Sequence, residues 1–90
     1  MNPVNDEVNR EKHGVRFFEA SDVFAGPTVT APDEGSAHGE NRLITVGENR
    51  NGLVLVIAHA QRSRRIRLIS ALPAYKKERL AFYAKVKPTL

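Results

Sequence analysis

The chain has 90 residues, a net charge of +4, 41% hydrophobic residues and no cysteine. This length predicts one domain, residues 1–90, and the composition excludes disulfides and thiol chemistry and favours a reducing cytoplasm. No stretch approaches the roughly 18–20 consecutive apolar residues of a membrane span, so no membrane partner is expected, and the polar, acidic N-terminus differs from a signal peptide.

Two short helices are predicted in the first third of the chain. Asn2-Pro3 is typical of a helix start, and Val4 and Val8 would share one face of this helix. Gly14 stands where a glycine commonly ends a helix. Apolar residues recur at helical spacing over 17–24, which predicts the second helix.

Three strand signals follow a polar, glycine-bearing loop at residues 32–42. The segments 43–46 and 53–58 flank Asn51-Gly52, a strong signal for a two-residue hairpin turn in which both residues have positive φ. The run 53–58 is apolar on both faces, as in a central strand that is covered on both sides.

A basic turn, 62–65, leads into the third strand signal, 66–71. Alternation along this strand predicts Ile66, Leu68 and Ser70 on one face and Arg67 and Ile69 on the other. Pro73 suits the first turn of a closing helix, whose packed side would carry Tyr75, Arg79, Phe82, Tyr83 and Val86. The predicted fold class is α+β, a small antiparallel sheet of three to four strands with two short N-terminal helices and a C-terminal helix.

The charge is distributed unevenly along the chain. Residues 1–45 carry four Lys/Arg against eight Asp/Glu, whereas residues 46–90 carry ten against two. A basic half favours polyanion partners through phosphate contacts and counterion release. The alternative is that these residues form a solvated basic surface without a ligand. Charge alone does not favour either interpretation.

The sequence lacks the residues that characterise several classes of enzyme. His13, His38 and His59 do not have the spacing of a metal site. No glycine-rich phosphate loop and no serine nucleophile motif is found. The sequence therefore argues against metal-dependent, nucleotide-cofactor and triad enzymes, and no cofactor is expected.

The remaining polar residues match the needs of metal-independent RNA cleavage. The ribose 2′-hydroxyl must lose a proton, the leaving 5′-oxygen must gain one, and cations must neutralise the phosphorane. The candidate catalytic residues are His38 and Glu40 for proton transfer and Arg42, Arg62 and Arg67 for phosphate binding. The candidate RNA-binding residues are Lys12, Arg65, Lys76 and Arg79. Taken singly, each is better explained as an ordinary loop or surface residue.

Five segments resemble the BrnT toxin family, in the same order and at matching spacing apart from one additional residue between Arg79 and Tyr83. Residues 9–15 resemble its N-x-x-K-H-G-V opening, and 19–27 its E-A-x-x-V-F-x-x-P helix. Residues 33–47 are similar to its D…G-E-x-R…I-G segment. The family block V-V-V…R…I-R-I-I-S-A is similar to the apolar strand together with Arg62 and residues 66–71. The closing helix pattern A-x-x-x-E-R-x-x-Y is similar to residues 74–83.

This resemblance implies a fold like the RelE-type ribonucleases and an endoribonuclease toxin that inhibits translation. It also implies a BrnA-like ribbon-helix-helix antitoxin as partner, with DNA contacted only through that antitoxin. Two positions depart from the family pattern: Met1-Asn2-Pro3 replaces an aromatic-rich strand, and Leu72 replaces an arginine suited to phosphate binding. The alternatives are a catalytically weak antitoxin-binding module acting in operon autorepression, and a basic nucleic-acid-binding domain outside any toxin system.

Overall fold

The computed structural model of the chain describes residues 3–33, 42–62 and 64–86. Its helices are α1 (Pro3–His13), α2 (Phe17–Ser21), which continues into a 3-10 turn (Asp22–Ala25), and α3 (Lys76–Val86). Its strands are β1 (Thr28–Pro32), β2 (Arg42–Glu48), β3 (Val54–Arg62) and β4 (Arg65–Pro73), which form one antiparallel sheet in the order β1-β2-β3-β4. The predicted α+β class, with its two N-terminal helices and its C-terminal helix, is confirmed.

Both faces of the sheet are covered. One face packs against α2 and the 3-10 turn through a cluster of buried side chains, namely Val15, Phe17, Ala20, Val23, Leu55, Ile57, Leu68 and Ala71. The other face packs against Phe82 of α3 through Val54 and Ala74, with Val29, Val46 and Val56 partly buried around them. Because β3 contributes to both clusters, its apolar run has the central position that the sequence predicts.

Helix α1 is attached to β4 by a buried asparagine. The Asn9 side chain, 4% exposed, donates to the carbonyl oxygens of Ala71 (2.7 Å) and Val15 (2.8 Å), and its Oδ1 accepts from the Ala71 N–H (2.9 Å). These bonds satisfy backbone groups at the sheet edge that would otherwise be costly to bury. Val8 of this helix is 43% exposed.

The β2–β3 hairpin lies where the sequence predicts it, but its turn differs. The Gly52 N–H donates to the carbonyl oxygen of Asn49 (3.0 Å). The Asn49 N–H donates to the carbonyl oxygen of Leu53 (2.9 Å). Three residues, 50–52, therefore form the loop, and Gly52 has a φ of +81°. The predicted two-residue turn is wrong because Asn49 Oδ1 accepts from the N–H groups of Asn51 and Leu53 and stabilises the longer turn.

Strand β1 was absent from the sequence-based prediction. It pairs antiparallel with β2, from Thr28 opposite Gly47 to Pro32 opposite Leu43. Its burial pattern has no apolar alternation, since its last three residues are exposed. An edge strand of this kind is defined by its backbone pairing with β2, which leaves no periodic signal in the sequence.

A bulge in β4 changes which residues share a face. Ala58 is opposite Ser70 and His59 is opposite Leu68, so Ile69 has no partner in the register. Leu68 consequently faces the α2 side, whereas Ser70 lies on the other face together with Arg67, which is opposite Ala60. The predicted placement of Ser70 beside Leu68 is wrong because the extra residue breaks strict alternation.

Helix α3 begins at Lys76, so the predicted place of Pro73 in its first turn is wrong: Pro73 is the last residue of β4. Side-chain hydrogen bonds hold the helix at its start and against β2. The Tyr75 N–H donates to Glu78 Oε1 (2.8 Å) at the start of the helix, and the Tyr75 ring is 74% exposed, so its predicted packing is wrong. The Tyr83 hydroxyl donates to Glu48 Oε2 (2.5 Å). This hydrogen bond, together with burial and the carboxylate charge, raises the pKa of Tyr83. None of the described helices is long and apolar enough to cross a membrane.

Candidate active site

Two arginines predicted as phosphate ligands lie in one row across the sheet. Arg42 of β2 is opposite Ala60 of β3, and Ala60 is opposite Arg67 of β4. Residues in such a row share a face, and two strand spacings separate the outer Cα atoms by about 10 Å. Ala60 between them is buried, at 2% exposed, whereas Arg42 is half-buried and Arg67 is exposed.

This row lies on the face that α3 also covers, but away from the helix. The α3 cluster involves Val54 and Val56 of β3. Ala60 is four residues further along the strand, which corresponds to about 13 Å. The arginine row and the α3 core therefore occupy different halves of one sheet face.

The β3–β4 hairpin adds further positive charge next to the row. Arg64, Arg65 and Arg67 are all exposed. Arg62 is opposite Arg65 in the register, but its side chain lies outside the described part of the molecule. His38 and Glu40 also lie outside the described residues, so the predicted proton carriers have no position relative to the arginines.

The candidate RNA-binding residues divide into separate groups. Arg65 is on the same hairpin as Arg67, and Lys12 lines a pocket with Ser70 of β4. Lys76 and Arg79 belong to α3, which starts beyond the opposite end of β4. Six residues separate Arg67 from Pro73 along the strand, about 20 Å. Lys76 and Arg79 consequently lie far from the arginine row.

The pocket beside Ser70 brings together two segments that are distant in sequence. It has a volume of about 150 Å³ and lies between the last turn of α1 and the middle of β4, lined by Val8, Asn9, Lys12, His13, Ile69 and Ser70. Lys12 and His13 are exposed. His13 was not among the predicted catalytic residues, although it follows Lys12 in a segment that carries the family resemblance.

A comparison with known protein families assigns the chain to one of them. A family model described as the ribonuclease toxin BrnT of type II toxin–antitoxin systems matches residues 2–78. The chain belongs to the BrnT family. By family it is a type II toxin–antitoxin ribonuclease toxin, a class with RNA as substrate and an antitoxin as partner. No characterised protein matches the chain significantly.

In this BrnT-family chain, Leu72 lies on the same face as the arginine row. It is opposite Val56, two residues after Ser70 along β4, and is half-buried. Leu72 is thus two residues from Ser70 but lies beside Val56, in the half of this face that α3 covers.

His59 occupies a buried position on the opposite face of the sheet. The ring is 3% exposed, its Nε2 lies 2.7 Å from Thr45 Oγ1, and it contacts Phe24 edge-on at 5.2 Å between ring centroids. Burial lowers the pKa of His59, which favours the neutral ring. Because the ring packs beneath the 3-10 turn, His59 belongs to the core of this BrnT-family chain.

Proposed function

We propose that this chain cleaves RNA internally without a metal ion and thereby inhibits translation, with Arg42 and Arg67 holding the scissile phosphate. The observation that carries the proposal is the row Arg42–Ala60–Arg67 across three strands. A guanidinium group can bind two phosphate oxygens at once. Two such groups on opposite sides of a phosphate would stabilise the charge that builds up on the phosphorane.

The purified chain should cleave single-stranded RNA equally well in EDTA and in magnesium, because the proposed charge stabilisation comes from arginine. The measurement is the rate of fragment formation, with analysis of the fragment ends. Attack by the 2′-hydroxyl leaves a 2′,3′-cyclic phosphate, and an RNA with 2′-deoxyribose throughout is the matched control that should stay intact. Cleavage that disappears on chelation and returns with a divalent cation would contradict this mechanism.

The antitoxin of this system is proposed to be BrnA-like, with a ribbon-helix-helix part that binds DNA and an acidic segment that covers the basic hairpin. Charge complementarity supports this, since Arg64, Arg65 and Arg67 are exposed together. An apolar cleft of about 360 Å³, lined by Ser21, Phe24, Ile66 and Leu68, lies at the same end of the sheet but on its α2 face. An acidic segment with apolar side chains would have to pass around the β3–β4 hairpin to contact both the exposed arginines and this cleft.

Charge reversal at Arg64 and Arg65 should slow antitoxin association and weaken its dependence on salt, since exposed charges act mainly by steering the encounter. Association rates at low and physiological ionic strength measure this effect. Lys77→Glu reverses an exposed charge on α3, at the other end of the molecule, and is the matched control. If the hairpin variant and the control behave alike, the antitoxin binds elsewhere.

A second candidate function is favoured by Leu72. Without an arginine at this position, the chain would act as a catalytically weak module that binds the antitoxin and supports operon autorepression. Induction of the chain in cells with and without the antitoxin gene separates the two functions. Growth arrest with RNA fragmentation, relieved by the antitoxin, supports the ribonuclease, whereas unchanged growth with intact repression supports the binding module.

A further inference from the structure

We propose that His13 is a catalytic residue of this chain and accepts the proton of the attacking 2′-hydroxyl in the pocket that it shares with Lys12 and Ser70. This inference rests on the proposed ribonuclease function and names a proton acceptor among the described residues. The supporting observation is that the last turn of α1 and the middle of β4 line one pocket, although these segments are more than 50 residues apart in the chain.

Ser70 connects this pocket to the arginine row. It lines the pocket with His13, and the bulge at Ile69 places it on the same sheet face as Arg67. Without the bulge, Ser70 would share the face of Leu68, on the α2 side of the sheet. A phosphate held by Arg67 would therefore lie on the side of the sheet from which its ribose can enter the pocket.

Hydrogen bonds on both sides of His13 position the end of α1 beside β4. One turn before His13, the Asn9 side chain makes two hydrogen bonds to the backbone of Ala71. Immediately after His13, Gly14 adopts a φ of +72° and its N–H donates to the Arg10 carbonyl oxygen (2.8 Å). These bonds position the backbone on both sides of Lys12 and His13 and so determine where the two residues lie relative to β4.

The reaction balances without a further reagent. A neutral His13 imidazole nitrogen takes the 2′-hydroxyl proton as the 2′-oxygen forms a bond to phosphorus. The bond from phosphorus to the 5′-oxygen then breaks, and this oxygen takes a proton from water. The products are a 2′,3′-cyclic phosphate and a 5′-hydroxyl, and His13 returns its proton to solvent. The Lys12 ammonium group, next to His13, would offset negative charge on the phosphorane.

A purely structural role for His13 makes a different prediction. Lys12 and His13 lie in the last turn of α1, where positive charge stabilises a helix through its dipole. In that case, substitution would lower the melting temperature, and added imidazole would not restore cleavage. A catalytic role predicts an unchanged fold and a rate that depends on the missing imidazole.

The test compares single-turnover cleavage of a single-stranded RNA by the full chain and by His13→Ala and His13→Gln. General-base catalysis predicts a loss of about 100–10,000-fold in both variants, with unchanged RNA binding. Added imidazole should restore part of the rate in His13→Ala, whereas the larger glutamine side chain should restrict such rescue. The exposed Glu11, also on α1 but outside the pocket, gives the matched control Glu11→Ala, which should cleave normally.

Two results would overturn the role of His13 while leaving the ribonuclease intact: a wild-type rate in both His13 variants, or a loss that parallels a lower melting temperature and that imidazole fails to rescue. Absence of cleavage by the wild-type chain on any single-stranded RNA would instead overturn the proposed function. The two failures are therefore distinguished by the wild-type reaction alone.

Discussion

We expect Arg67→Ala to lower the rate of RNA cleavage about 100–1,000-fold, the usual cost of removing one preorganised charge donor from a developing oxyanion. Arg67 is exposed on β4, so the free energy of unfolding should change by less than about 1 kcal/mol. Arg42→Ala should act in the same direction, because Arg42 flanks Ala60 from the other side. Cleavage rates and urea unfolding of the same preparations measure both effects.

Arg50→Ala is the matched control for these variants. Arg50 lies on the β2–β3 hairpin, at the end of the sheet opposite the β3–β4 hairpin, and its side chain is 78% exposed while it contacts Asp22. The Arg50→Ala substitution removes one positive charge from the chain without changing the arginine row. A loss of cleavage as large in Arg50→Ala as in Arg67→Ala would mean that net charge, and not the row, determines the rate.

Leu72→Arg should raise the cleavage rate, by up to about 100-fold if the new guanidinium group reaches the phosphate as a preorganised donor. The sequence resemblance predicts an arginine here, and the register places Leu72 on the face of Ser70 and Arg67. Because Leu72 is half-buried opposite Val56, the apolar stem of an arginine can cover Val56 while its charged end extends into solvent.

The control for this gain is Leu72→Gln, which is polar and brings no charge. A rate increase in the arginine variant alone would assign the effect to phosphate binding, as measured by single-turnover cleavage. If Leu72→Arg and Arg67→Ala both leave cleavage unchanged, the proposed site is in the wrong place. The antitoxin-binding module would then be the better description of this chain.

Local patterns in the sequence were sufficient for most of the secondary structure. Gly14 ends α1 with a positive φ, and Gly52 lies in the β2–β3 turn with another. The continuous apolar run of β3 predicted a central strand, and both clusters of the core include its residues. These features depend on the conformational preferences of one residue or on the pattern within one element, so neighbouring residues suffice to predict them.

The candidate site was only partly predictable. Arginines were expected to bind phosphate from their number and chemistry, but the choice of Arg42 and Arg67 as neighbours depends on the register of three strands. The position of His13 in the pocket could not be predicted, because the spacing of the three histidines indicates only that they do not form a metal site. Its proximity to Ser70 arises from the packing of α1 against β4, which has no periodic signal in the sequence.

The sequence by itself determined the α+β class, the positions of the helices, the β2–β3 hairpin and the basic character of the second half, because these follow from local conformational preference, hydrophobic period and charge. Only the tertiary structure decided that β1 forms an edge strand, that Asn9 joins α1 to Ala71, and that the bulge at Ile69 turns Ser70 towards Arg67. Each of these depends on hydrogen bonds between backbone or side-chain groups of different elements. Such hydrogen bonds produce no recognisable pattern in the sequence of either element. They are also what places His13 close to Ser70.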